Sequence, residues 1–92
     1  MLLIEWTPTA RLDLLEILGY IAERNEQAAY CLFERIEHDV EHAAEHPYLF
    51  KASQRVPGLR EIVTHPNYIV FYQVTAASIK VVNVVHARRE FP

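Results

Sequence analysis

Three short apolar runs in the second half of the sequence restrict its fold more than any other feature. They are residues 59–64 (LREIVT), 68–74 (YIVFYQV) and 79–85 (IKVVNVV), all rich in β-branched and aromatic side chains. Turn-forming sequences separate them, namely His65-Pro66-Asn67 and residues 75–78. Strand-sized apolar runs joined by short turns are typical of consecutive antiparallel strands. The sequence therefore predicts a three-stranded antiparallel meander.

The short turns also predict a register for this sheet. The expected cross-strand pairs are Thr64 with Tyr68, Ile62 with Val70, Arg60 with Tyr72, Val74 with Ile79, Tyr72 with Val81, and Val70 with Asn83. One face is then apolar and is expected to be covered by helices: Val63, Ile69, Phe71, Val82 and Val84. The other face is mixed and is expected to be a docking surface: Arg60, Thr64, Tyr68, Tyr72 and Asn83. Glu61 falls on the apolar face, against this pattern.

The first half of the sequence predicts a short strand and two helices. Residues 2–6 form the strand, which is expected at the edge of the sheet. Thr7 followed by Pro8 has the pattern of a helix start, and Asn25 is placed to cap a second helix that ends at His46-Pro47. The predicted fold class is α+β in the order β-α-α-β-β-β, an antiparallel two-helix hairpin packed on a small antiparallel sheet. Residues 1–92 are expected to form a single domain.

Composition indicates a small intracellular protein. A chain of 92 residues, 51% of them hydrophobic, builds a limited core that a bound partner often helps to stabilise. Cys31 is the only cysteine, so no internal disulfide is possible, and no apolar run reaches the length of a membrane span. The N-terminus also lacks the basic start and apolar core of a signal peptide. We therefore expect a cytoplasmic protein without membrane contact.

Charge is distributed unevenly along the chain. Before Pro47, three arginines face ten carboxylates, a formal net charge of -7, and from Pro47 onward six cations face two carboxylates, a net charge of +4. A basic half indicates an anionic partner, either nucleic acid or an acidic protein segment. Solubility alone would also explain the asymmetry, so the charges by themselves do not identify a partner.

Two groups of residues match patterns of metal binding or catalysis, but structural roles explain them better. Residues 38–42 (HDVEH) match the H-x-x-E-H zinc pattern, and His46 continues the same helix face. A zinc enzyme needs a further ligand, and only Glu61 and Glu90 remain as downstream carboxylates. A solvated histidine face is therefore favoured, and no metal or other cofactor is expected. Cys31 has no basic neighbour to activate it, which favours packing over nucleophilic chemistry.

A third group follows the last predicted strand and has two interpretations. Residues 86–89 (HARR), Arg60 and the loop cations Lys51 and Arg55 supply an imidazole and several positive charges. In RNA cleavage, the imidazole would act as acid or base and the guanidiniums would bind the scissile phosphate. A binding patch would need only the charges. Three tyrosines would likewise either stack on bases or pack in the core: Tyr48, Tyr68 and Tyr72.

Motifs spread over the whole chain resemble one family. They are V-P-G-L-R-E at residues 56–61, H-P-N-Y at 65–68, Y-x-V at 72–74 and V-x-H-A-R-R at 84–89, closing on Phe91-Pro92. In this order, after a strand and a helical hairpin, they are similar to the RelE/ParE superfamily of toxins from type II toxin-antitoxin modules. The resemblance implies an α+β fold and a cognate antitoxin whose acidic, disordered segment folds over the toxin. Antitoxin contacts are expected at Lys51, Arg55, Arg60 and Lys80, and DNA binding only through the complex.

Two activities divide this superfamily, and the resemblance is closer to the ParE branch. RelE-like members cleave messenger RNA on the ribosome, and they tend to have several loop lysines and an acid/base residue near the C-terminus. Here the loop has one lysine, Lys51, and the terminal aromatic is Phe91, which cannot transfer a proton. ParE-like members inhibit DNA gyrase and serve plasmid maintenance. The resemblance therefore implies a protein-binding inhibitor and not an enzyme.

The site residues follow from this resemblance. Contact with gyrase is expected at Arg60, Tyr72, His86, Arg88 and Arg89. The alternative is a ribosome-dependent mRNA endoribonuclease, which would use Arg60, His86 and Arg89 for catalysis. A third interpretation is a binding module without a target of its own, whose expression alone would not arrest growth.

Overall fold

A computed structural model describes residues 1–89, so Phe91 and Pro92 of the family motif lie outside the described residues. The elements are β1 (Leu3–Trp6), α1 (Pro8–Ala22), α2 (Glu26–Glu45), β2 (Arg60–His65), β3 (Tyr68–Val74) and β4 (Ser78–His86). The predicted element order and the helical hairpin on a sheet are confirmed. The four strands lie in the order β1-β4-β3-β2. Because β1 runs parallel to β4, the sheet is mixed and not wholly antiparallel as predicted.

Both helices begin at the predicted residues because side chains cap their first turns. The Thr7 hydroxyl accepts a hydrogen bond from Ala10 N at 3.0 Å and donates to the carbonyl of Val82 in β4 at 3.1 Å. The Asn25 side chain accepts from Ala28 N at 3.0 Å. These contacts satisfy backbone donors that a helix start leaves free. No helix within residues 1–89 is long and apolar enough to cross a membrane.

The predicted register holds toward the Val74 end of β3, where Val74 lies opposite Ile79, and shifts toward its Tyr68 end. Arg60 lies opposite Tyr72, and the same β3 residue lies opposite Val81 of β4, as expected. A β-bulge between Val63 and His65 then places His65 opposite Tyr68, where Thr64 was predicted. A second irregularity in β4 places Val84 opposite Val70, where Asn83 was predicted. Each bulge adds one residue to one strand, and no sequence rule had located either.

For β2 and β3, the two faces of the sheet are the reverse of the prediction, whereas Val84 of β4 lies in the helix-covered core as expected. The helices cover the face that carries Ile62, Val70, Tyr72 and Val81, and residues of α2 such as Ile36 complete this core. Thr64 and Tyr72 therefore lie under the helices and not on a docking surface. The prediction was wrong because both faces contribute to cores, so that four consecutive residues of β3 are buried and the alternation of polar and apolar residues is lost.

The loop between α2 and β2 covers the outer face of the sheet. Its Val56 and Leu59 pack with Ala87 on a second apolar cluster made of Ile69, Phe71 and Val85. Glu61 is buried on this face, and its carboxylate accepts a hydrogen bond of 2.6 Å from the Ser53 hydroxyl in the loop. Glu61, which did not fit the predicted apolar face, thus helps to attach the loop that covers this face.

A carboxylate on α1 holds the irregular part of β4. Asp13 accepts hydrogen bonds from the side-chain amide of Asn83 and from the backbone N–H of Val84, both at 3.0 Å. A bulge leaves strand donors unpaired, and a buried unpaired donor is unfavourable. Asp13 therefore replaces a missing strand partner and joins α1 to the segment that leads into His86.

Candidate functional site

The end of β4 and the β2–β3 turn form a polar corner, which we call the hairpin corner and define as His65, Asn67, Tyr68 and residues 86–89. Tyr68 lies opposite His86 in the sheet, and their ring centroids are 5.3 Å apart. The His65 ring lies on the other side, 5.9 Å from Tyr68. Ala87 N donates to the carbonyl of Asn67 at 2.7 Å, which joins the exit of β4 to the turn.

The chain turns directly after β4 and presents two arginines. Arg89 N donates to the carbonyl of His86 at 3.0 Å, and Arg88 N donates to Nδ1 of the same histidine at 3.2 Å. Both arginine side chains are exposed. Within residues 1–89, neither guanidinium has a hydrogen bond or an ion pair. The turn is therefore fixed by its backbone, while its charges are available to a partner.

The hydrogen bond to His86 Nδ1 also defines what this imidazole can do. A nitrogen that accepts a backbone N–H carries no proton, so the neutral ring has its proton on Nε2. In this tautomer Nε2 donates a hydrogen bond and has no free lone pair to remove a proton. The arrangement suits a binding contact better than a general base.

Arg60 and Tyr72 lie toward the other end of β3, away from the hairpin corner, and hold the chain that follows α2. We call these two residues, together with Pro47, Tyr48 and Phe50, the loop clamp. Arg60 Nη1 donates to the carbonyl of Phe50 at 2.8 Å, and the guanidinium lies 4.8 Å from the Tyr48 ring centroid. The Tyr72 hydroxyl donates to the carbonyl of Pro47 at 2.7 Å.

Tyr72 is a core residue, which corrects its predicted role as a target contact. Its side chain is fully buried and cannot reach a partner without unfolding of the surroundings. Burial raises the pKa of its hydroxyl above the ordinary value of 10.0, and the charge of Arg60 opposes part of this rise. The sequence pattern missed this role because the partner of the hydroxyl is a backbone carbonyl.

The residues expected to act together in a ribonuclease are not brought together. Arg60 lies opposite Tyr72 and His86 lies opposite Tyr68, four residues away along β3. At about 3.3 Å per residue, their positions are about 13 Å apart along the strand. The guanidinium of Arg60 is also engaged with Phe50, so one phosphate would not meet both groups.

The cations expected to bind the antitoxin lie on different elements of the fold. Lys51 and Arg55 are exposed in the loop outside β2. Lys80 is half-buried and lies opposite Glu5 of β1 and Gln73 of β3. Its neighbours in β4 belong to the helix-covered core, so Lys80 projects from the outer face. Arg60 differs from these three cations because its guanidinium is bonded within the loop clamp.

A groove between the two helices was not predicted. The α1–α2 groove has a volume of about 420 Å³ and is bordered at its base by β1, an edge strand. It is mainly apolar and is lined by Ile4, Trp6, Arg11, Leu14, Leu15, Phe33, Ile36, Glu37, Val40 and Glu41. The available sequence signal was the excess of leucine on α1, where Leu15, which lines the groove, remains 67% exposed.

The histidines of α2 form a ladder of rings on the helix surface. His42 lies 6.2 Å from His38 and 5.5 Å from His46, in edge-to-face contact with each. The ladder continues from His42 to Phe50 at 6.2 Å. In the part of the chain that the structure describes, no three metal-ligating side chains come together. The ring contacts connect the C-terminal end of α2 to the loop clamp.

Solved structures share this architecture. A chain of the chromosomal ParDE TA system from P. aeruginosa superposes with a TM-score of 0.78 at 19% identity, over 94% of this chain and 96% of that one. The conserved hypothetical protein HP0894 from Helicobacter pylori superposes with a TM-score of 0.66 at 12% identity, over 99% and 100% of the two chains. The chain therefore has the RelE/ParE-like class of fold, two helices on a four-stranded mixed sheet.

Sequence comparison narrows this class to a family. The model of the ParE toxin of the type II toxin-antitoxin system parDE matches residues 4–91. Toxin RelE2 from Caulobacter vibrioides (strain ATCC 19089 / CIP 103742 / CB 15) is 30% identical over 86 residues, which cover 94% of this chain and 96% of that protein. The chain belongs to the ParE toxin family and is a toxin of a type II toxin-antitoxin system, with a cognate antitoxin as its partner.

Proposed function

We propose that this toxin arrests growth in the cytoplasm by inhibiting DNA gyrase through the hairpin corner. The observation that carries the proposal is the turn after β4, where Arg88 and Arg89 are exposed and have no partner among residues 1–89, while the backbone around His86 is fixed. A fixed backbone lowers the entropy lost when a partner binds these side chains. Membership of the ParE family supports gyrase as the target.

The ribonuclease alternative has weaker support from the geometry. Arg60 is engaged in the loop clamp, and the neutral His86 tautomer presents a donor and not the lone pair that a general base needs. Electrostatic contact with a protein surface does not require Arg60 and His86 to meet at one phosphate, and it does not require a free lone pair on the imidazole. We therefore propose a binding inhibitor without catalysis.

The antitoxin is proposed to occupy the α1–α2 groove. The groove offers an apolar surface and the open edge of β1, which suits an amphipathic segment of a chain that folds on binding. Lys51, Arg55 and Lys80 are proposed to bind acidic residues of the same antitoxin elsewhere on the surface. Contact with DNA is proposed only for the toxin-antitoxin complex.

Charge reversal at the hairpin corner tests the target contact. The variant Arg88→Glu with Arg89→Glu is expected to fold normally and to lose toxicity when the chain is expressed alone. In the unmodified toxin, incorporation of labelled thymidine is expected to fall before that of labelled methionine, and purified toxin is expected to inhibit supercoiling by gyrase. Arg24→Glu, at an exposed arginine between the helices, is the control and should remain toxic.

Two results would contradict these proposals. Full toxicity of the folded double variant would exclude the hairpin corner, and an earlier fall of methionine incorporation would favour the ribosome as target. The groove is tested separately by Leu15→Glu, which should stay toxic but escape neutralisation by the cognate antitoxin. Leu12→Glu is the matched control, because Leu12 is equally exposed on α1 but does not line the groove.

A further inference from the structure

A second cavity lies on the other side of α2, between the helical hairpin and the β2–β3 turn. This α2 cleft has a volume of about 420 Å³ and is lined by Ile21, Ala28, Cys31, Leu32, Arg35, His65, Asn67 and Tyr68. Its apolar part consists of Ile21, Ala28 and Leu32, and its polar part consists of the remaining residues. At about 30 Å³ per water molecule, the volume exceeds the needs of a bare inorganic ion and falls within the range of small-molecule sites.

The charge of this cleft is opposite to that of the helix beside it. Carboxylates are frequent on α2, yet none of the residues that line the cleft is acidic. Arg35 is exposed at the cleft, and within residues 1–89 its guanidinium has neither an ion pair nor a hydrogen bond. An unpaired guanidinium beside an apolar surface is suited to bidentate binding of a phosphate or carboxylate.

Three other polar side chains of the cleft are able to donate hydrogen bonds. His65 Nδ1 accepts a hydrogen bond of 3.0 Å from Asn67 N, so the neutral imidazole has its proton on Nε2 and donates there. The hydroxyl of Tyr68 and the amide of Asn67 add further donors. A guanidinium with three neutral donors favours a negatively charged ligand, and the aliphatic floor with the Tyr68 ring favours a ligand that also has a flat apolar body.

We propose that the α2 cleft binds a mononucleotide, with its phosphate at Arg35 and His65 and its base against Leu32 and Tyr68. A mononucleotide combines the two features that the cleft recognises, an anionic group with several acceptors and an aromatic ring. The site is distinct from the α1–α2 groove and does not depend on gyrase as the target. Occupation would involve His65 and Tyr68, which connect the cleft to His86 through their ring contacts.

Titration of the full-length ¹⁵N-labelled protein with 5′-AMP tests the site. Saturable shifts are expected for the amides of Cys31, Arg35 and Asn67, with a dissociation constant below about 1 mM. Arg35→Gln should fold normally, because the side chain is exposed, and should weaken binding about tenfold, since a charged contact is lost. Arg24→Gln is the matched control, because Arg24 bonds to the Tyr20 carbonyl and does not line the cleft.

Adenosine and inorganic phosphate test the recognition of the base and the recognition of the phosphate separately. Each alone is expected to bind at least about tenfold more weakly than 5′-AMP. Equal binding of adenosine would exclude recognition of the anion, and equal binding of phosphate would exclude recognition of the base. Absence of saturable shifts, or shifts that Arg35→Gln leaves unchanged, would overturn the site.

Discussion

The loop clamp and the hairpin corner use similar side chains at the two ends of β3, but with opposite results. In the loop clamp, the Arg60 guanidinium and the Tyr72 hydroxyl both donate to carbonyls of the chain after α2. In the hairpin corner, the backbone of the turn is hydrogen-bonded, and the side chains of Arg88 and Arg89 remain exposed. The first set holds the fold together, and the second is available to a partner.

This difference shows that residue type alone does not tell whether a cation is bonded within the fold or exposed on its surface. A side chain that donates to a carbonyl within the chain is less available to a target, and its removal leaves that carbonyl without its partner. Within residues 1–89, the guanidiniums of Arg88 and Arg89 have no such partner, so their removal is expected to have little effect on folding. Stability measurements therefore separate the two regions before any assay of toxicity.

Truncation of Tyr72 is expected to have the largest effect in this comparison. Tyr72→Ala removes a fully buried aromatic ring from the helix-covered core and deletes the bond to Pro47. The free energy of unfolding should fall by about 3–5 kcal/mol, measured by urea denaturation. The control Tyr30→Ala alters an exposed tyrosine and should stay within about 0.5 kcal/mol of the unmodified protein. Similar values for the two variants would show that Tyr72 is not a core residue.

Removal of the Arg60 side chain is expected to have the next largest effect. Arg60→Ala loses a charged hydrogen bond to Phe50 and the contact with the Tyr48 ring, which together should lower the free energy of unfolding by about 2 kcal/mol. Chemical denaturation of the purified variant measures this loss. A variant of unchanged stability that has lost toxicity would return Arg60 to the target contact first predicted from the sequence.

Removal of the Tyr72 hydroxyl has a smaller effect that depends on pH. Burial raises the pKa of this hydroxyl above 10.0, so the folded state keeps its proton where the unfolded chain has lost it. The stabilisation is complete below pH 10 and declines as the pH rises through the raised pKa. Tyr72→Phe should lower stability by about 1 kcal/mol at pH 7, and the gap to the unmodified protein should narrow above pH 10. Denaturation curves across this pH range test both statements, and a gap that widens would contradict them.

The sequence predicted those parts of the fold that depend on neighbouring residues. Thr7 and Asn25 cap the helices as expected, since their partners lie three residues further along the chain. The central register, with Tyr72 between Arg60 and Val81, was also predicted correctly because short turns leave few pairings. Within the site, Arg88 and Arg89 are exposed, as a contact with a partner requires.

The sequence could not predict features that depend on distant partners. The faces of β2 and β3 are the reverse of the prediction because the loop carrying Val56 and Leu59 covers the outer face, and a strand buried on both faces has no alternation to interpret. Sequence pattern alone places Tyr72 on the surface because its partner is the Pro47 carbonyl, and a backbone carbonyl has no sequence signature. The α1–α2 groove and the α2 cleft likewise arise only when separate elements meet.

The smallest effect on stability is expected at the hairpin corner, where it is also the most informative. Arg88→Ala with Arg89→Ala removes two exposed side chains without disturbing the backbone bonds to His86, so the free energy of unfolding should change by no more than about 0.5 kcal/mol. Urea denaturation gives this value, and growth after induction gives the toxicity of the same variant. A loss of stability similar to that of Arg60→Ala would mean that the two ends of β3 are both structural, and the contrast between them would disappear. A stable variant without toxicity would instead assign Arg88 and Arg89 to the target contact.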